Sequence, residues 1–297
     1  MKAFVLALVA SLVFLPGAQA AEKVKVCTLS TILTELAQKV GGDRVEVIGL
    51  VKPGIDPHEY EPAPSDLQLV AQSQLILASG KHMEGYLTKL KESAGGSGDL
   101  VPVGDRFASL TMKPEEGGKQ GEAKEIEDPH WWHSVDNVER ATKVVRDELE
   151  KLSPADKAVF DKNADAYIAT LEELKGWIKR KVAELPRDQR KLVTSHDAFQ
   201  YFARDYGFTI YAIEGVSTED EPSNRKVAEI IDTIKKQNVK AIFLESIENP
   251  KVLKVITRET GARIGGSLYA DGLGLGADGT YDGMMRHNVT TIVNALK

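Results

Sequence analysis

The chain has 297 residues, of which 28% are charged, one cysteine, and a formal net charge of −6. A single cysteine excludes an internal disulfide framework, and scattered lysines and arginines under a net acidic balance exclude the basic footprint of a nucleic-acid binder. The length is too great for one small core and suits two lobes.

Residues 1–20 read MKAFVLALVASLVFLPGAQA. Lys2 precedes an apolar run from Ala3 to Leu15, Pro16-Gly17 breaks it, and Ala18-Gln19-Ala20 closes it. This is the pattern of a cleavable secretory signal with cleavage near Ala20. The run is shorter than the roughly 20 residues a helix needs to span hydrocarbon. The expectation is export to the periplasm without a membrane anchor. A lipoprotein would carry cysteine at the cleavage point. The lone Cys27 sits instead in V-K-V-C-T-L, where it reads as a small buried hydrophobe on a strand.

After the signal, KVKVCTL (23–29) alternates polar and apolar residues and predicts a strand. Ile32, Leu33, Leu36 and Val40 then recur at helical spacing up to Gly41-Gly42. DRVEVIGLV (43–51) predicts a second strand and runs into KPGIDPHEYEPAPS, whose four prolines exclude regular structure. A short helix from Ser65, the strand QLILASG, the helix MEGYLTKLKESAG and the extended DLVPVGD follow. Such alternation argues a mostly parallel α/β sheet. Residues 113–127 have no hydrophobic period and predict a surface loop, after which EDPHWWHS leads into a helix from Val135.

Residues 154–185 predict one long helix, with Phe160, Ala164, Tyr167, Leu171, Leu174, Ile178 and Val182 every three or four positions and Pro186 as its stop. The alternation then restarts: strands at KLVTSHD, FTIYAIEG, VKAIFLES and ARIGGSLYADG, with helices between them and a closing helix at TYDGMMRHNVTTIVNALK. The architecture expected is α/β, with two lobes of mostly parallel sheet flanked by helices and joined by one long backbone helix. The boundaries are a signal at 1–20, a first lobe at 21–133, a helical connection at 134–186 and a second lobe at 187–297.

Six histidines are present: His58, His82, His130, His133, His196 and His287. Ligands in open α/β sheets bind beyond the carboxyl ends of strands. His58, His196 and Asp271 fall there, and His130 lies in the loop before the connecting helices, so two facing lobes contribute two candidates each. His58 and His130 both follow Asp-Pro, and proline sets the backbone angle at which the next imidazole leaves the chain. Asp56 and Asp128 then either hold the far ring nitrogen, as a metal site requires, or form plain Asx-turns.

With these residues in view, the chain resembles the metal-specific solute-binding proteins of ABC importers, the periplasmic zinc and manganese receptors. The resemblance rests on GIDPHEYEPAPSDLQ (54–68), DPHWW (128–132), TSHDAFQYFARDYG (194–207), and SLYADGLG with TYDGMMRHN, and it spans the mature chain. It implies that His58, His130, His196 and Asp271 are the metal ligands, that metal sits between the lobes, and that an inner-membrane ABC permease is the partner of a monomeric receptor. Two departures stand out. Residues 113–127 hold no histidine, whereas many zinc receptors of the family are histidine-rich there. The third ligand position tends to glutamate in manganese receptors and is His196 here. Three imidazoles and one carboxylate suit tetrahedral Zn²⁺, with Mn²⁺, which prefers more oxygen, as the alternative cargo.

His133, His82 and His287 are read as structural, the last two on helices. Trp131 and Trp132 are expected to wall the site from water. Glu59, Glu61 and Glu245 are alternative oxygen donors, ranked below Asp271. The acidic stretches at 113–127 and 217–222 are candidate docking segments for a partner or a periplasmic metallochaperone. Two other classes are weighed: a secreted zinc metallohydrolase, which needs an open coordination position and a general base, and a structural zinc protein or adhesin that never releases its metal. No H-E-x-x-H, G-x-S-x-G or glycine-rich phosphate loop is present, so no enzyme activity is expected.

Overall fold

The segment VKVCT is apolar enough to be covered on both faces, and it forms β1 (Val24–Thr28) inside a sheet rather than at its edge. A computed structural model of the chain describes residues 22–112, 126–217, 222–245 and 251–297. In the first sheet β1 is flanked by β2 (Val45–Gly49) and β3 (Leu75–Ala78), with β4 (Asp99–Pro102) outermost; the order is β2-β1-β3-β4 and every pairing is parallel. Cys27 stands opposite both Ile48 and Ile76, fully buried. Helices α1 (Thr31–Gly41), α2 (Pro64–Ala71) and α3 (Leu87–Ala94) complete this half. The Ser30 hydroxyl caps α1 by accepting the Leu33 N–H, and Gly42 ends it at a φ of 56°, where a Cβ would be strained.

A two-residue antiparallel pair follows, β5 (Thr111–Met112) against β6 (Ile126–Glu127). Two helices then run between the halves, α4 (Val135–Leu152) and α5 (Lys157–Val182). All seven apolar residues predicted to line the long helix are buried on α5. The helix is shorter than expected from 154–185: Pro154–Asp156 form a separate tighter turn, and Ala183 is the C-cap. Its 26 residues still give a length of about 39 Å. It packs against α4, α1 and α9 (Tyr281–Leu296), and so touches the helical layers of both sheets.

The second sheet comprises β7 (Lys191–Thr194), β8 (Thr209–Ala212), β9 (Ala241–Glu245) and β10 (Arg263–Leu268), in the order β10-β9-β7-β8 and again parallel throughout. Helices α6 (Gln200–Tyr206), α7 (Asn224–Gln237), α8 (Lys251–Thr260) and α9 accompany it. The largest apolar cluster runs from Val26 through Trp131, Trp132 and the inner face of α5 to Phe243 and Ile292. The two sheets therefore share one continuous core, a stiffer arrangement than two separately folded lobes on a linker.

The expected fold class is the observed one: two parallel sheets, each flanked by helices, with one long helix across both. Several details differ. The strand expected over 43–51 begins later, because Gly42–Arg44 form a tight helical turn. His82, expected on a helix, is exposed in a turn at a φ of 64°, next to Lys81 at 53°. The β5–β6 pair is a surprise at the edge of the expected loop. The signal at 1–20, most of the 113–127 stretch and residues 218–221 of the 217–222 stretch lie outside the described residues.

Candidate metal centre

The four candidate side chains lie just past strand ends: His58 after β2, His130 after β6, His196 after β7 and Asp271 after β10. His58 lies in the loop after β2, where Asp56 Oδ1 accepts its backbone N–H at 2.8 Å. His130 follows β6. Asp128 Oδ1 accepts the His130 backbone N–H at 2.9 Å and also faces His130 Nδ1 at 2.9 Å. The two Asp-Pro-His segments therefore share an Asx-turn, and at the second the aspartate also grips the ring. A carboxylate only accepts, so the Nδ1 proton points at Asp128 and the Nε2 lone pair points away, toward the centre.

His196 stands just past β7, where Thr194 Oγ1 donates to the His196 carbonyl at 2.9 Å. From the end of the neighbouring strand β9, Glu245 accepts the backbone N–H groups of Ser195 and His196 at 3.1 and 3.2 Å, and its other oxygen holds His196 Nδ1. Glu245, ranked below Asp271 as an alternative oxygen donor, here orients an imidazole. Its position at the end of the apolar run VKAIFLES was the available signal. Asp271 lies in the loop beyond β10 rather than at the end of the strand, since β10 stops at Leu268.

The four side chains converge. His58 Nε2 lies 3.3 Å from His130 Nε2, which lies 3.3 Å from His196 Nε2. Asp271 Oδ1 is 3.5, 3.3 and 3.4 Å from the Nε2 atoms of His58, His130 and His196. All four atoms fall within 4.8 Å of one another, and this is the one such group among the described residues. His130 and His196 are 0% exposed and Asp271 6%. Asp271 Oδ1 is buried and faces three imidazole nitrogens at once, each 3.3–3.5 Å away. That is the environment of an atom facing a cation.

The electrostatics agree. Burial alone would raise Asp271, but His196, His130 and His58 outweigh it and hold the carboxyl well below its ordinary range. Burial pulls His196 down, yet Glu245 and Asp271 lift it well above the usual imidazole value, and Asp128 and Asp271 lift His130 against the same penalty. The pocket is a buried negative well that rewards positive charge at its centre.

The other candidates lie outside the cluster. Glu59 and Glu61 are exposed. His133 is buried, with Nε2 donating to the Ala270 carbonyl at 2.9 Å and its ring 4.4 Å from Phe199. Burial, then the neighbouring His130, push it down to about 3, so it is a neutral packing residue. His287, on α9 as expected, pairs with the Ser267 carbonyl and Asp278. Trp132 lies edge-on to His130, with ring centroids 5.5 Å apart, and donates to the Ala270 carbonyl at 2.7 Å; Trp131 is one ring further out against Phe107. The tryptophan wall is therefore mainly Trp132. A cavity of about 170 Å³ between residues 51–55 and 269–275 reaches Asp271 from outside.

The profile of one protein family, described as zinc-uptake complex component A, periplasmic (ZnuA), matches residues 26–295. The manganese-binding lipoprotein MntA of Halalkalibacterium halodurans is 32% identical over 277 residues, covering 93% of this chain and 89% of its own. The iron-binding protein YfeA of Yersinia pestis is 32% identical, over 93% of this chain and 87% of its own. Among solved structures, the periplasmic zinc-binding protein TroA of Treponema pallidum superposes with a TM-score of 0.83 at 31% identity, covering 93% of this chain and 99% of its own. No helix among the described residues is long and apolar enough to cross a membrane. The chain belongs to the ZnuA family, whose members are substrate-binding proteins of metal ABC transporters and not enzymes.

Proposed function

We propose that the protein captures Zn²⁺ in the periplasm through His58 Nε2, His130 Nε2, His196 Nε2 and Asp271 Oδ1, and delivers it as a monomeric receptor to an inner-membrane ABC permease. One observation carries the reading. Five of the six edges of the four-atom cluster measure 3.3–3.5 Å. Donor atoms at that spacing are close enough to share one small divalent cation, as four-coordinate zinc requires. Three nitrogens and one oxygen are also the donor set that zinc accepts and manganese does not prefer. Four protein donors close the sphere and leave no position for an activated water, which disfavours the hydrolase reading.

A manganese receptor is the second reading, favoured by the 32% identity to a manganese-binding relative. Protein purified without added metal, assayed for elements and then titrated competitively with Zn²⁺ and Mn²⁺, decides between them. Zinc binds tighter on the present reading; tighter manganese binding overturns it. Metal that transfers to a chelator distinguishes a receptor from a structural zinc protein. Export through a cleaved signal, rather than lipidation as in the lipoprotein relatives, is supported by Cys27, the one thiol, which lies fully buried in β1 with burial pushing it up to about 12.

A further inference from the structure

Asp271 belongs by sequence to the second sheet, yet its loop is fastened to elements outside that sheet. One residue before it, the Ala270 carbonyl accepts both Trp132 Nε1 at 2.7 Å and His133 Nε2 at 2.9 Å. Two residues after it, the Leu273 N–H donates to Thr31 Oγ1 at 2.8 Å. Thr31 is the first residue of α1, beside the first sheet. One turn further along α1, Glu35 Oε2 accepts the Tyr281 N–H, at the start of α9, at 2.6 Å. That carboxylate meets the positive end of a helix dipole, and the Tyr281 hydroxyl in turn donates to the Trp132 carbonyl at 2.7 Å. The loop passes so near α1 that a Cβ on Gly272 would stand 2.8 Å from Thr31 Oγ1.

The Asp271 loop thus bridges the halves: Asn288 of α9 holds the Tyr269 N–H and carbonyl at 2.9 and 2.8 Å, while Trp132, His133 and Thr31 hold Ala270 and Leu273. His196 is held quite differently, within its own sheet, by Glu245. We infer that Thr31 is a positioning residue for Asp271, holding the loop at Leu273 so that the carboxylate meets the cation, and that this α1 clasp sets how slowly metal leaves. The inference rests on the four-ligand reading above. Backbone supports of this kind act as the hydrogen bonds behind metal ligands do, by removing the freedom of the ligand to swing away.

The test compares Zn²⁺ affinity and dissociation rate, by chelator competition and stopped flow, for wild type, Thr31→Val, Thr31→Ser, Asp271→Asn and the double variant Thr31→Val/Asp271→Asn. Thr31→Val is isosteric and lacks the acceptor. It is expected to weaken zinc by about tenfold, mainly through faster release, while the metal-free melting temperature stays near wild type. Thr31→Ser keeps the oxygen and restores binding. In the Asp271→Asn background the Thr31→Val effect disappears, because both act on one ligand. Should Thr31→Val prove too unstable to assay, Gly272→Ala displaces the same loop sterically and is expected to speed release alike. Wild-type release from Thr31→Val or Gly272→Ala, with Asp271→Asn impaired, overturns the clasp and leaves the receptor reading intact. A Thr31→Val effect that persists undiminished beside Asp271→Asn also overturns it. Wild-type zinc binding by Asp271→Asn overturns the site itself.

Discussion

Glu245 holds His196 twice and its neighbour once: the carboxylate accepts from the imidazole Nδ1 and the backbone N–H of His196, and from the backbone N–H of Ser195. The ring is thereby locked with Nε2 facing Asp271 and His130. Glu245→Gln keeps the size but turns an amide N–H₂ or a single weaker acceptor toward Nδ1. Zinc affinity is expected to fall about 10–100-fold, measured by competition with a chromophoric chelator. Asp128→Asn, which disturbs His130 in the same way, should fall in the same range. An unchanged affinity in both would show that the rings orient themselves.

His133→Ala and His130→Ala separate ligand from neighbour. The first removes a fully buried side chain and is expected to cost on the order of 2 kcal/mol of stability, while Trp132 still holds the Ala270 carbonyl. Its effect on zinc should be at least an order of magnitude smaller than that of His130→Ala. Equal losses in zinc affinity would assign the second ligand wrongly.

Glu84 provides a pH signature away from the metal. Buried at the end of β3, it accepts the N–H groups of Ser79 and Gly80 at 2.5 and 3.1 Å, and burial pushes it up to about 7 from the usual 4.5. The folded state thus holds this proton more tightly than the unfolded chain does. Its contribution to stability is fully present below pH 4.5 and is lost as pH rises through about 7. Melting temperatures of metal-free wild type and Glu84→Gln between pH 4.5 and 8 should converge as pH rises, by a few degrees. A wild-type advantage that grows with pH would contradict this.

Metal binding is expected to contract the molecule very little. α5 packs on α1 and α9 alike, and a common core joins the sheets. The radius of gyration should stay at about 19 Å with and without zinc, by solution X-ray scattering. A large contraction on adding zinc would show that the helix bends as a hinge.

Much of this was legible in the residues themselves. The apolar period from Phe160 to Val182 predicted α5 because a helix across both sheets must bury a full stripe. The Asp-Pro-His repeats placed two imidazoles because proline leaves the backbone few choices. What escaped is instructive. β5 and β6 are too short to show a period. His82 sits at a positive φ that no local pattern announces. Glu245 was ranked only as an alternative oxygen donor below Asp271, because sequence order cannot reveal that β9 lies beside β7. The Thr31–Leu273 bond joins residues 242 positions apart, beyond the reach of any windowed reading.

The β5–β6 pair has an engineering consequence. Met112 stands directly opposite Ile126, so the two described ends flanking residues 113–125 are adjacent in space, the second of them four residues from His130. Doubling such a connection costs only about 0.6 kcal/mol in closure entropy. A fluorescent reporter joined to those adjacent ends would sit close to the candidate metal pocket, which makes this position a natural port for converting the receptor into an optical metal sensor.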